Sequence, residues 1–153
     1  MKRILPWMVF IVFFTLLLLG FILKDNMNNY LSDVMKSQAT PRVNSMGAAL
    51  VDSLYNYSEN KMQYEITFLE FGSTGCSACK RMEKVMEKIQ QNYPDKVNVV
   101  FYNITLHENH DLMKYFGIAA IPTQVILDKS GKEFYRHTGF ISTPELTKEI
   151  LKN

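Results

Sequence analysis

The stretch Gly72-Ser73-Thr74-Gly75-Cys76-Ser77-Ala78-Cys79-Lys80 constrains this chain more than any other. It holds both of the chain's cysteines, three residues apart, between a run rich in β-forming residues (Tyr64 to Phe71) and a pattern of helical period (Cys79 to Gln91). The pair is therefore expected at a strand-to-helix turn. There Cys76 meets the unpaired N–H groups and the positive dipole end of a helix, and both favour a thiolate. A C-x-x-C pair in that context is the sequence form of a dithiol/disulfide centre, in which the low-pKa first cysteine attacks and the second resolves. Two other readings stay open on the residues alone: half of a zinc site, and a buried inert pair. A structural zinc site takes four ligands, and the sequence has no second C-x-x-C or Cys-His set placed to complete one, so no metal is expected. His107 and His110, with Glu108 between them, fall in an expected loop and helix start and read as solvated surface.

The remaining pattern supplies a frame for that turn. Ser45 can cap a helix to about Tyr57, with Met46, Ala49, Leu50, Leu54 and Tyr57 on one stripe. Tyr64 to Phe71 is apolar enough to be a central strand, with Glu70 out of place near its end, either as a strand-end carboxylate facing solvent or as a buried acid. The motif helix stops at Asn92-Tyr93-Pro94, and Val97 to Asn103 is a second strand, parallel to the first because a helix connects them. A short helix from Asn109 to Phe116 ends at Gly117, and Ile118 to Pro122 leads into a third strand, Thr123 to Leu127. Asp128-Lys129-Ser130-Gly131 is a hairpin turn, so Glu133 to His137 runs antiparallel to the third strand. Thr143, Pro144 and Glu145 open a last helix to Lys152. Met82, Met86 and Met113 fall at core spacing. Lys80 and Arg81 read either as solvated charge or as cations that lower the Cys76 pKa.

Upstream, Met1-Lys2-Arg3 is a short basic cap, and Ile4 to Leu23 is an almost wholly apolar run of about the length that spans a bilayer. It is longer than a signal-peptide core and has no small-residue cleavage site at the usual distance, so an uncleaved single-pass anchor is expected. Lys2 and Arg3 then keep the N-terminus cytoplasmic and place the rest outside the cell membrane. Setting those two aside leaves 15 basic against 15 acidic residues, a neutral balance that gives no reason to expect nucleic acid as a partner. Asp25 to Asn44 is polar and reads as a stalk, with helical character over Tyr30 to Lys36. The expected organisation is a cytoplasmic stub and anchor (1–24), a stalk (25–44) and one domain (45–153).

The element order, with Cys76-Ser77-Ala78-Cys79-Lys80 at the first strand-to-helix turn and Phe116-Gly117-Ile118-Ala119-Ala120-Ile121-Pro122-Thr123 before the third strand, resembles the thioredoxin family over Ser45 to Asn153. Val125 to Lys132 and Gly139 match the tail of that fold. The resemblance implies an α/β thioredoxin-like fold, a central mixed sheet of about four strands flanked by helices, preceded here by one transmembrane helix. It implies a protein-disulfide oxidoreductase with no cofactor beyond a redox-active Cys76–Cys79 disulfide. Cys76 is then the nucleophile and Cys79 the resolving thiol. Pro122, in cis, leaves the Ile121 backbone free for an extended substrate segment, and Gly75, Ser77, Ala78 and Thr123 complete the substrate surface. Glu70, six residues before Cys76, stands where the family carries a buried acid that exchanges protons with the second cysteine. Glutamate there is similar to membrane-tethered reductases of the cytochrome c maturation type. On that likeness the expected role is bacterial and extracytoplasmic. The expected partners are disulfides of exported proteins, apocytochrome c among them, with a membrane thiol transporter as electron donor. An exported oxidase or isomerase, or a metal-binding assembly chaperone using the cysteines as ligands, are the alternatives. The chain differs from the family in Gly75 for its usual tryptophan and Ser77-Ala78 for Gly-Pro, neither of which adds charge beside the thiols.

Overall fold

The computed structural model describes residues 5–152, with side chains from Trp7 onward except those of Phe21, Ile22, Lys24 and Asp25. The basic cap at Met1-Lys2-Arg3 and the start of the apolar run at Ile4 lie outside the described residues, as does Asn153. The expected mixed sheet is present, with four strands in the order β2-β1-β3-β4. The central strand β1 (Ile66–Gly72) is parallel to β2 (Val97–Asn103) and antiparallel to β3 (Thr123–Leu127), which pairs antiparallel with β4 (Glu133–Thr138). All seven residues of β1 are buried, because helices cover both faces of the sheet.

Period-two alternation sends the β1 side chains to two separate cores. Phe68 faces a helix α4 (Ser77–Asn92) and a helix α6 (Thr143–Ile150), where Met82, Val85, Ile89, Leu146 and Ile150 are buried. Leu69 and Phe71 face the other way, onto α2 (Pro41–Tyr55) and α5 (His110–Tyr115), against Val51, Tyr55, Leu112 and Phe116. Each such large apolar side chain contributes about 1.5–3 kcal/mol by leaving water. Gly47 lets α2 lie close on Tyr115, where any Cβ would collide with the ring. At the β3–β4 turn the Asp128 carboxylate accepts from the Ser130 and Lys132 N–H groups at 2.8 and 3.1 Å.

The N-terminal part departs most from the sequence reading. Helix α1 runs unbroken over Leu5–Ser37, so the helical character expected over Tyr30 to Lys36 is present and extends back through the polar stretch into the apolar run. The next helix starts at Pro41 and not at Ser45. Thr40 caps it, its hydroxyl accepting from Val43 N–H at 3.3 Å, and proline at the first helical position is pre-set for the turn. The helix expected to reach Tyr57 ends at Tyr55 and resumes as one turn, α3 (Tyr57–Asn60). Among the described residues no helix is long and apolar enough to cross a membrane, so the span expected over Ile4–Leu23 is not part of the architecture shown. That run includes Ile4 and side chains at both of its ends that lie outside the described residues.

The C-terminal end of α1 is fastened to the domain. The Arg136 guanidinium, on β4 and largely buried, donates to Glu133 at 2.7 and 2.9 Å, to the Phe116 carbonyl at 2.7 Å and to the Ser32 hydroxyl at 3.3 Å. Lys36 pairs with Glu133 at 3.3 Å. Burial alone pushes the Glu133 carboxyl up, but hydrogen bonding and charge from Arg136, with help from Lys36, hold it below its usual range.

Candidate active site

The turn that leaves β1 places the two sulfurs. Cys76 N–H bonds the Ser73 carbonyl at 3.3 Å, and Cys76 then serves as the N-cap of α4, its Sγ accepting from the Cys79 N–H at 3.2 Å. The expected helix start at Cys79 therefore moves back to Ser77. One orphan N–H of the first turn points at the Cys76 sulfur, and it favours that sulfur as an anion when the pair is reduced. Cys76 and Cys79 form a disulfide with Cα atoms 5.2 Å apart. Cys76 is partly exposed, whereas Cys79 is 3% exposed. The pair thus has an outer sulfur that a partner can reach and an inner one that it cannot.

Glu70 stands two residues before the point where β1 meets Cys79. It shares a face of β1 with Gly72, and a Cβ placed on Gly72 would stand 3.2 Å from both the Cβ and the Sγ of Cys79. Glycine at that position leaves the space that Cys79 occupies. Glu70 is therefore two residues, about 7 Å of strand, from the position that Cys79 crosses, with no side chain at Gly72 between them. Glu70 is fully buried; Oε2 accepts from Gln124 Nε2 at 3.0 Å, while Oε1 has no partner. Burial raises its pKa to about 8, against a smaller downward pull from Gln124. Such a carboxyl carries a proton at neutral pH and can release it near pH 8, the property a proton donor and acceptor for a buried thiol requires. The solvent-facing reading of Glu70 is excluded by its burial.

The Ile121–Pro122 peptide bond is cis. Thr123 pairs with Phe71 across the sheet, which brings Pro122 level with Gly72 at the end of the sheet from which the cysteine turn departs. The Pro122 carbonyl accepts from Gly139 N–H at 2.8 Å, and among the described residues neither the N–H nor the carbonyl of Ile121 has a partner. Thr123 is 1% exposed, and its hydroxyl bonds the Ala120 carbonyl at 2.8 Å, so it shapes the loop rather than offering a side chain to solvent. Gly75 and Ser77 are exposed and Ala78 is partly so, around the outer sulfur.

Sequence reasoning did not find Gln124. It is fully buried, faces Glu70 across the sheet and holds it, and its own Oε1 has no partner. The signal was present as a lone amide in the strand Thr123–Leu127, but which residue it would face depends on a strand register that the sequence does not give. His107 and His110 have ring centroids 5.2 Å apart, and among the described residues no group of three or more His, Cys, Asp or Glu could hold a metal ion.

The family model described as Thioredoxin matches residues 49–152. The chloroplastic thioredoxin-like protein HCF164 of Oryza sativa subsp. japonica is 31% identical over 98 residues, 62% of this chain and 37% of that protein. Its counterpart in Arabidopsis thaliana is 32% identical over 55% of this chain and 32% of that protein, so the chain spans about a third of the length of these relatives. Among solved structures, the thioredoxin NaTrxh from Nicotiana alata superposes with a TM-score of 0.53 at 32% identity, covering 65% of this chain and 82% of that one.

Proposed function

This chain belongs to the thioredoxin family, and on that premise we propose that it is a protein-disulfide reductase whose domain works outside the cell membrane. The observation that carries the redox reading is the Cys76–Cys79 pair itself: bonded, capping a helix, one sulfur accessible and the other backed by a buried protonated acid. In the reduced protein the Cys76 thiolate attacks one sulfur of a partner disulfide. The partner's S–S bond breaks, a mixed disulfide forms, and the departing thiolate takes up a proton. The ionised form of Glu70, populated as pH approaches about 8, accepts the Cys79 proton; the Cys79 thiolate attacks the Cys76 sulfur, and the second partner sulfur leaves as a thiolate that takes up a proton as Cys76–Cys79 closes. Two electrons have passed to the partner, and a dithiol donor must return them before the next cycle. The Ile121 backbone, unpaired beside this turn, is suited to hold an extended partner segment.

Direction and setting extend the reading. Reduction outside the membrane needs electrons from within, which a membrane thiol transporter would supply, and apocytochrome c disulfides are one substrate class. The apolar side chains of α1 from Trp7 to Leu19 are exposed around the helix, the condition of a segment that a bilayer would cover. Insulin reduction with dithiothreitol tests the activity: Cys76→Ser abolishes turnover, and Cys79→Ser accumulates a mixed disulfide through Cys76. Retained turnover in Cys76→Ser would overturn the assignment. The reduction potential of the pair tests direction. A value at the reducing end of the family range, near −270 mV, supports a reductase, and one near −120 mV makes it an oxidase.

A further inference from the structure

A groove of about 620 Å³ opens beside the outer cysteine, between α4 and the loop that precedes α6. Its near end is Ser77, between the two cysteines, and its floor is apolar, made by Val85, Phe140 and Pro144. The charged side chains of its α4 wall are all cations: Lys80, Arg81, Lys84 and Lys88. Among the described residues none of the four is ion-paired; Arg81 instead lies over the Phe140 ring at 4.4 Å. No acid is among the residues that line the groove, and Glu145, which follows Pro144, is occupied in capping α6, its Oε2 accepting from the Ser142 N–H and hydroxyl at 3.1 and 2.5 Å.

This charge arrangement does not serve the helix. Lys80, Lys84 and Lys88 recur at steps of four, which stacks like charges on one face, and α4 has no acid in its first turn, where its dipole disfavours cations. Glu83 and Glu87 are segregated to a separate hollow with Phe101. The residues beyond Lys2 and Arg3 are balanced in charge, so the cationic wall is a local feature and not a consequence of net charge. We propose that this groove docks an extended segment of the client protein in which acidic and apolar side chains alternate, next to the client disulfide that Cys76 attacks. The groove ends at Ser77, which places a segment lying in it next to the disulfide offered to Cys76. The apolar floor distinguishes such a segment from a purely anionic ligand. The proposal rests on Cys76/Cys79 being the reacting pair and adds which disulfides they are offered.

The test uses the full chain in neutral detergent and two fluorescein-labelled linear peptides that share apolar positions and alternate them with Glu or with Lys. By anisotropy the Glu peptide binds about tenfold or more tightly than the Lys peptide at low salt, and the preference shrinks as added salt shortens the screening length. Lys84→Gln/Lys88→Gln removes the preference, and Lys84→Glu/Lys88→Glu reverses it. Versions of the two peptides closed by a Cys-Ser-Ser-Cys disulfide are then reduced with kcat/KM values in the same order. Equal binding of the two peptides at low salt, or a preference that survives both double substitutions, overturns the proposal. Whether the unsubstituted chain reduces the small neutral bis(hydroxyethyl) disulfide decides the redox reading separately, because that molecule does not reach the groove.

Discussion

At the scale of single residues, Glu70 sets the pH behaviour. A carboxyl whose folded pKa is raised binds more protons in the folded than in the unfolded state between its two pKa values, so stability falls as pH rises through that window. For Glu70 the window runs from 4.5 to about 8. Glu70→Gln, which keeps the amide contact with Gln124 but cannot ionise, is therefore expected to gain melting temperature relative to the parent as pH rises from 5 to 8.5. The same substitution slows insulin reduction by tenfold or more, within the range of lost acid–base catalysis, and removes the limb of the rate profile near pH 8. An identical pH dependence in parent and variant, for both melting and rate, would return Glu70 to a packing role. Gln124 holds the other end of this arrangement, and one oxygen on each of these facing buried side chains has no partner among the described residues.

At the scale of elements, the decisive contact is between α1 and β4. Arg136 gathers Glu133, Ser32 and the end of α5 at Phe116, so its loss leaves a partly buried carboxylate short of its main partner. Arg136→Leu is expected to cost about 2–3 kcal/mol, discounted for the partial exposure of Glu133, and to open the Lys36-Ser37 bond to trypsin. Because the folded pKa of Glu133 is depressed, its contribution is present above 4.5 and lost as pH falls through its folded value. The acid limb of the urea-midpoint profile should therefore be shallower in the variant, and unchanged trypsin resistance would show that α1 is held by other contacts. The helical character of Tyr30 to Lys36 was legible in the sequence, but the fastening was not, because Asp25 to Asn44 shows polar composition and no apolar stripe. A helix fastened by ion pairs and one hydroxyl leaves no hydrophobic periodicity to read. The strands were legible to within two residues because apolar runs bounded by Gly, Pro and Asn are local signals. Cys76 and Cys79 could be named from their spacing at a strand-to-helix turn, and Glu70 and Pro122 from the resemblance to the thioredoxin family. Gln124, Gly72 and the cationic groove required the register of β1 against β3 and the approach of the Phe140 loop to α4, both of which are long-range.

At the scale of the whole molecule, α1 joins an apolar segment to a catalytic domain without a break. Its 33 residues extend about 50 Å, and Ser32, the first residue held by Arg136, lies only nine steps, about 14 Å of helix, beyond Leu23. If the apolar run lies in a bilayer, a helix fastened this close gives the domain a short, stiff mounting near the membrane surface, unlike a flexible stalk, which would let it range. Such a mounting suits exchange with a dithiol donor that is itself in the membrane. Trp7 is the sole tryptophan and is 69% exposed, so it reports on this segment without interference from the domain. With the full chain mixed into phosphatidylethanolamine/phosphatidylglycerol vesicles, Trp7 emission should shift to shorter wavelength and be quenched by lipids brominated in their acyl chains. The protein should float with the vesicles, and a chain lacking residues 1–24 should not. Arg136→Leu separates insertion from mounting: Trp7 is quenched as before, while Lys36 becomes open to trypsin. Emission that stays at the wavelength of water-exposed tryptophan, with the protein left at the bottom of the gradient, would remove the anchor and with it the reason to place this domain at a membrane.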